Sequence, residues 1–177
     1  PGGPAGSTGQ VGTGAGQVFR WEYPFIRWAE REGFGFDYCT DVDVHRDPGL
    51  LRDYRTVLVV GHNEYWSKQM RDGYDAAVAN GVNLCNFAAN TGYWQVRFED
   101  AERTMVCYKS TADPVDGMTE TVQWRQPPVS RPESLLLGAM YSSIASGVLK
   151  VKSTGHWMFN GSGATLGMTF PGLAGYE

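Results

Sequence analysis

The sequence lacks any apolar run of about 18 residues or more, so no segment reads as a membrane-spanning helix. It is also short of positive charge. Lys and Arg number 15 against 19 Asp and Glu, for a formal net charge of −4, and the cations do not cluster. Phosphate contacts need clustered cations, so a general nucleic-acid binder is excluded. Cysteine is sparse: Cys39, Cys85 and Cys107 form an odd set without CxxC spacing, which gives neither a zinc knuckle nor a disulfide framework. Cys39 and Cys85 lie in apolar, strand-like runs and read as buried, reduced thiols, which favours a cytoplasmic setting. The elbows of covalent catalysis are missing as well, because no Gly-x-Ser-x-Gly or Gly-x-Cys-x-Gly follows a strand. Gly12-Thr13-Gly14-Ala15-Gly16 has no strand before it and no Lys after it, so it is not a phosphate loop.

What remains is enough to fold. With 177 residues, 42% of them hydrophobic and 13% aromatic, the chain suits one domain with an appendage. The appendage is the start: residues 1–16 hold seven glycines and no charge. Lacking a basic start and an apolar core, this stretch is not a secretory leader. Residues 1–17 therefore read as a glycine-rich linker or arm, and 18–177 as the domain, a fragment of a longer chain.

Helix and strand patterns alternate from residue 18 to about residue 90. Trp21 to Glu32 carries Phe25, Ile26, Trp28 and Ala29 at helical spacing, with Pro24 placed near the first turn. Phe36 to Thr40 alternates like a strand and stops at Asp41-Val42-Asp43. Thr56 to Val60 is β-branched and continuously apolar, as in a parallel strand covered on both faces. Ser67 is placed to cap a helix running to Asn80, with Gly81 as the stop, and Val82 to Ala88 returns as a strand. This strand–helix–strand unit predicts a doubly wound, mostly parallel α/β sheet. The second half, with Pro127, Pro128 and Pro132 and short strands at Val148–Val151 and His156–Phe159, reads as an irregular β-rich part.

In such a sheet, function collects beyond the carboxyl ends of the strands. The loops there are His62 to Trp66 and Asn90 to Trp94, and Tyr65 and Tyr93 are 28 residues apart, about one strand–helix–strand repeat. Two phenols converging with a carboxylate suit a hard trivalent metal, since a bound cation deprotonates a phenol and Fe³⁺ prefers oxygen donors. The competing reading is that the Tyr-Trp pairs pack a cleft rim. His62 is a candidate ligand, base or orienting group, and Glu64 is its neighbour. His45 reads as solvated, His156 as a structural strand residue, and Asp41 and Asp43 as a turn or helix cap.

The ordered set of Trp21-Glu22-Tyr23-Pro24-Phe25-Ile26-Arg27-Trp28, Thr40-Asp41-Val42-Asp43, Gly61-His62-Asn63-Glu64-Tyr65-Trp66, Ala89-Asn90-Thr91-Gly92-Tyr93-Trp94, Arg131-Pro132-Glu133 and Gly172-Leu173-Ala174-Gly175-Tyr176-Glu177 carries a resemblance. It resembles the C-terminal domain of the N,N-dimethylformamidase large (beta) subunit family, from about residue 18 onward. The resemblance implies a sheet like that of class I glutamine amidotransferases, without their cysteine nucleophile. It also implies a mononuclear iron, as Fe³⁺, held by Tyr65, Tyr93 and a glutamate that maps onto Glu177, or less directly onto Glu64. The activity implied is metal-assisted hydrolysis of a small amide such as N,N-dimethylformamide. A small subunit and self-association are implied as partners. His62 and Asn90 are then candidates for positioning water or stabilising the oxyanion.

Two other readings compete. One is a non-catalytic ligand- or carbohydrate-binding module, with Trp66, Trp94, Trp124 and Trp157 lining a cleft. The other is an assembly domain whose glycine-rich start is an interface arm.

Overall fold

A computed structural model describes residues 16–109, 113–143 and 147–174. The chain divides after Met140 into two compact units. The first begins with helix α1 (Gln17–Arg31). Its start lies earlier than the apolar spacing indicates, so Pro24 stands in the helix interior rather than in the first turn. Helix α2 (Asp41–Arg46) follows, closed by a reciprocal cap: the Thr40 hydroxyl accepts from the Asp43 N–H, and the Asp43 carboxylate accepts from the Thr40 N–H. Asp43 is thus a capping residue, as the turn-or-cap reading allows. A short 3-10 turn (Leu50–Asp53) then leads into strand β1 (Thr56–His62).

Strand β2 (Tyr65–Ser67) runs directly into helix α3 (Lys68–Ala79), where Ser67 is the N-cap and accepts from the Met70 N–H at 3.2 Å. Gly81 turns the chain at φ +89°, a conformation open to glycine, and strand β3 (Asn83–Ala89) follows. Strands β4 (Trp94–Glu99) and β5 (Thr104–Val106) complete the sheets of this unit, and a single helical turn, α4 (Ser134–Leu137), follows.

The protein is mixed α/β with small sheets. β1 pairs with β3 in parallel from Thr56↔Asn83 to His62↔Ala89. β2 pairs with β4 in parallel, and β4 with β5 antiparallel. Phe36 to Thr40 belongs to no strand, so its alternation does not become a sheet element among the described residues.

The core lies where α2, the 3-10 turn, β1 and α3 meet. Val44, Leu51, Val59, Trp66, Met70, Tyr74, Ala77 and Val82 are buried together with Trp124 and Val129. Trp66 stacks flat on Tyr74, with centroids 4.3 Å apart and 9° between planes, and its indole N–H donates to Asn63 Oδ1 at 2.6 Å. Trp124 packs against two guanidinium groups, Arg71 at 5.4 Å and Arg131 at 5.3 Å. Arg131 in turn binds Asp72 at 2.6 Å and Asp75 at 2.5 Å on α3. The Arg131-Pro132-Glu133 segment therefore fastens the chain after Trp124 onto α3.

The second unit holds strands β6 (Gly147–Lys150) and β7 (Thr169–Ala174), paired antiparallel. Its strand content agrees with the β-rich reading of the C-terminal part, with one correction. His156 to Phe159 is not a strand: Trp157–Phe159 forms a 3-10 turn, capped by His156 Nδ1 accepting from the Met158 N–H at 3.3 Å. A turn lets the exposed Trp157 and Met158 leave the sheet without needing strand partners.

Three further sequence expectations are corrected. Cys39 is exposed and Cys85 half-buried, although both are free thiols as expected. Cys39 ends an extended segment that no sheet covers. His45 is not solvated: its Nδ1 hydrogen-bonds Ser67 Oγ at 2.7 Å and its ring packs on Phe98 at 4.6 Å. Helix α2 carries it inward, which a polar local sequence conceals.

Candidate functional site

The two loops singled out in the sequence are joined through their backbones. His62, the last residue of β1, is in register with Ala89, so His62 and Asn90 leave the β1–β3 pair at the same end. Asn90 takes φ 51°, the left-handed region that Asn tolerates better than most residues. The Gly92 N–H then donates to Asn63 O at 2.8 Å, and the N–H groups of Tyr93 and Trp94 both donate to Glu64 O, at 3.0 and 2.9 Å. Gly92 is required here. Its φ is +61°, and a Cβ would stand 3.2 Å from the buried Trp66 indole.

These bonds start the β2–β4 ladder, in which Tyr65 faces Trp94. Tyr93 precedes that pair by one residue and packs edge-on against Trp94, with centroids 5.5 Å apart. Trp124 N–H closes the other side by donating to Tyr93 O at 3.0 Å.

Each tyrosine has a cation over its ring. Lys109 Nζ stands 4.9 Å from the Tyr65 centroid and 5.5 Å from that of Trp94, and donates to the Tyr65 hydroxyl at 2.7 Å. Burial pushes the Tyr65 phenol above its ordinary pKa. The Lys109 ammonium opposes that shift, and the Glu64 carboxylate, acting by charge and hydrogen bonding, adds to it. Lys109 itself is raised, chiefly by its bond to Tyr65, with partial burial opposing. At neutral pH the pair is therefore an ammonium donating to a neutral phenol.

Over Tyr93 the cation is Arg125, with Cζ 5.0 Å from the ring centroid. Arg125 is fixed by an ion pair with Glu133, whose side chain is only 2% exposed. The remaining candidates lie around this edge. The His62 ring meets Trp21 of α1 edge-on at 5.6 Å, and Gly61 at φ +86° takes the Glu22 side chain against its backbone. Glu177 lies outside the described residues.

The sequence reading missed Lys109, Arg125 and Glu133 as parts of this neighbourhood. Arg131-Pro132-Glu133 stood out as a motif, but nothing local tied Glu133 to a tyrosine forty residues away. The aromatic-cleft reading fails at two of its four residues. Trp66 is 1% exposed and Trp124 is fully buried, so neither presents a face to a ligand. Among the described residues no three His, Cys, Asp or Glu side chains gather as a metal cluster. No helix among the described residues is long and apolar enough to cross a membrane.

Comparison with known proteins adds the family. The chain is 37% identical over 82 residues to the N,N-dimethylformamidase beta subunit of Alcaligenes sp, covering 43% of this chain and 11% of that protein. It is 35% identical over 81 residues to the N,N-dimethylformamidase beta subunit of Paracoccus aminophilus, again 43% of this chain and 11% of the relative. The matched part is thus about a tenth of either relative's length. A profile of the N,N-dimethylformamidase beta subunit-like C-terminal family matches residues 4–177, which takes in most of the glycine-rich start as well as the domain. With that match spanning nearly the whole sequence, the chain belongs to the N,N-dimethylformamidase beta subunit-like C-terminal family.

Proposed function

We propose that this chain carries the metal-binding edge of an iron-dependent hydrolase that splits a small N-substituted amide, such as N,N-dimethylformamide, into an amine and formate. The observation that carries the reading is the shared Glu64 carbonyl, which receives both the Tyr93 and the Trp94 N–H and so holds the two tyrosine loops at one strand edge. The donors there fit a hard trivalent cation in kind. Phenols and a carboxylate are oxygen ligands, and a bound cation favours the phenolate over the phenol.

In this reading Tyr65 and Tyr93 hold the iron as Fe³⁺. A carboxylate is the third donor: the family resemblance gives that part to Glu177, while Glu64 is the carboxylate that acts on Tyr65. Iron, when bound, supplies Lewis acidity toward water and the amide carbonyl. The chain's own residues do the rest. Asn90, placed at the strand edge by its left-handed turn, offers a side-chain amide to orient the substrate or to donate to its developing oxyanion. His62 holds or passes the proton that water must lose and the departing amine must gain.

The wider reading goes with it. The β1–β3 pair is then part of a doubly wound sheet like that of class I glutamine amidotransferases. Both relatives are named as beta subunits, which supports a partner subunit; a small partner, self-association and a cytoplasmic setting complete the proposal. The test is to load the purified chain with Fe³⁺ and follow both the visible phenolate-to-iron absorption and formate release from N,N-dimethylformamide. Absorption that disappears in Tyr93→Phe, with turnover that His62→Ala or Asn90→Ala lowers about a hundredfold, is the expected result. A chain that takes up no iron overturns the reading.

A further inference from the structure

We infer that the outer face of α1, with the aromatic side chains beside it, is the docking surface for an acidic, apolar segment of a partner polypeptide. This rests on the partner-subunit part of the reading above and is independent of the iron. One side of the helix belongs to the fold: Trp21 meets His62, the Glu22 side chain lies on Gly61, Phe25 packs against Phe87 at 6.0 Å and Ala29 is fully buried. Pro24, Arg27, Trp28 and Arg31 recur at i, i+3, i+4 and i+7, a stripe along another side. They line an open cleft of about 470 Å³.

Trp28 joins that cleft to a row of rings. It lies 5.5 Å from Phe25 and 5.5 Å from Phe34; Phe34 lies 6.0 Å from Phe36, and Phe36 lies 6.5 Å from Tyr38. Phe25 ties the row to Phe87 of β3. Trp28 is 43% exposed, Phe34 51%, Tyr38 60% and Phe87 61%. With about 200 Å² to each ring, these four leave roughly 400 Å² of aromatic surface in water. A patch of that size on a single chain is often a contact site.

The charges select the occupant. Arg31 is held by its neighbour Glu32 at 2.9 Å, an exposed pair that a better partner displaces at little cost. Arg27 lies over the Tyr23 ring at 5.7 Å and pairs with no carboxylate among the described residues. Two guanidinium groups beside an exposed indole suit a carboxylate, through forked hydrogen bonds, together with an apolar side chain on the rings. A second copy docked by the same stripe would set guanidinium against guanidinium, and the patch is only about half of what each side of a stable interface contributes. The chain's own glycine-rich start has no charge over residues 1–16 and so offers no carboxylate. A short segment with carboxylates around an apolar centre meets both demands, and the relatives are named as beta subunits, a name that presupposes a companion.

The probe is a fluorescein-labelled peptide, Asp-Glu-Leu-Phe-Glu-Asp, titrated with the full chain and followed by fluorescence anisotropy. One control peptide has Lys at every acidic position, and the other has Ser in place of Leu and Phe. The expected result is saturable binding of the first peptide, about tenfold weaker or worse for each control, and weakened by high salt. Arg27→Glu, at an exposed position, should lower the affinity about tenfold with an unchanged melt, and Trp28→Ala should do the same. Should Trp28→Ala melt early, Arg27→Glu decides. Absent binding, equal affinity for the acidic and basic peptides, or unchanged affinity in Arg27→Glu overturns the inference. So does a chain that ignores the peptide and forms dimers that Arg27→Glu disrupts, because the occupant is then a second copy. Binding that appears only after residues 1–15 are removed overturns it too, because the chain's own start then holds the face. A natural enzyme isolated without any second polypeptide overturns the partner-subunit reading and this docking role with it, whereas failed peptide discrimination overturns the face alone.

Discussion

At Tyr65 the companion cation is Lys109 and at Tyr93 it is Arg125, and the two are held differently. Lys109 reaches in from an exposed turn, whereas Arg125 is locked by the buried Glu133. Removing one partner of a buried ion pair leaves the other uncompensated. Glu133→Ala should therefore destabilise the protein by about 3 kcal/mol in urea unfolding, and a loss near zero would show that Arg125 finds other partners. Asp113 is a second anchor. Arg97 at 2.6 Å, and Thr121 through its hydroxyl and N–H, hold its carboxyl well below the usual carboxylate range, against a desolvation effect that raises it. A depressed folded-state pKa contributes stability above the unfolded value of about 4, and that stability fades as pH falls toward the folded value. Denaturation series should show the wild type losing stability below about pH 4, with Asp113→Asn weaker at pH 7 and flatter in acid. Equal slopes for the two proteins would contradict this assignment. At this scale the sequence exposes Tyr65 and Tyr93, because each ends a recognisable strand-and-loop pattern. It does not expose Lys109, which lies 44 residues from Tyr65 and meets it only through a left-handed turn.

Among the elements, α3 is the most legible and β4 the least. Ser67 caps α3 and Gly81 follows its end, as the local chemistry of those residue types requires. Strand β4 carries an apolar alternation, Trp94, Val96 and Phe98, but its polar face is turned inward as well at Gln95 and Arg97. Gln95 is fully buried, and its amide donates to the Met118 and Glu120 carbonyls at 2.9 and 2.7 Å. Arg97 pairs with Asp113 through Nη1, which also donates to the Thr119 carbonyl at 3.1 Å. Such partners draw a polar side chain into a fold, and a hydrophobic pattern cannot report them. α3 also offers a test of packing against propensity. Alanine is the better helix former by about 1 kcal/mol, yet a Cβ on Gly73 would stand 2.8 Å from the Pro48 carbonyl oxygen, a backbone atom with no freedom to swing aside. Gly73→Ala is expected to destabilise by about 1–3 kcal/mol, lowering the thermal midpoint. A raised midpoint would mean that α3 and the Pro48 segment do not hold each other as closely as the contact requires.

For the molecule as a whole, the sequence shows a mixed α/β chain and its family, while the tertiary bonds that make a site are visible only in the structure. The order of the short motifs carries the family because several turns and strand ends must keep their spacing together. The core does not follow the aromatic count: Trp66 and Trp124 serve packing, while Trp157 is exposed. Trp66→Ala should cost about 3–5 kcal/mol in unfolding free energy, and would also remove the surface against which Gly92 turns. The joined tyrosine loops remain the centre of the account, and metal content tests them most directly. Elemental mass spectrometry of the purified chain after exposure to Fe³⁺, beside Tyr65→Phe and Tyr93→Phe, should find about one iron per wild-type chain and little in either variant. An iron-free wild type, or iron retained in both variants, would contradict the site.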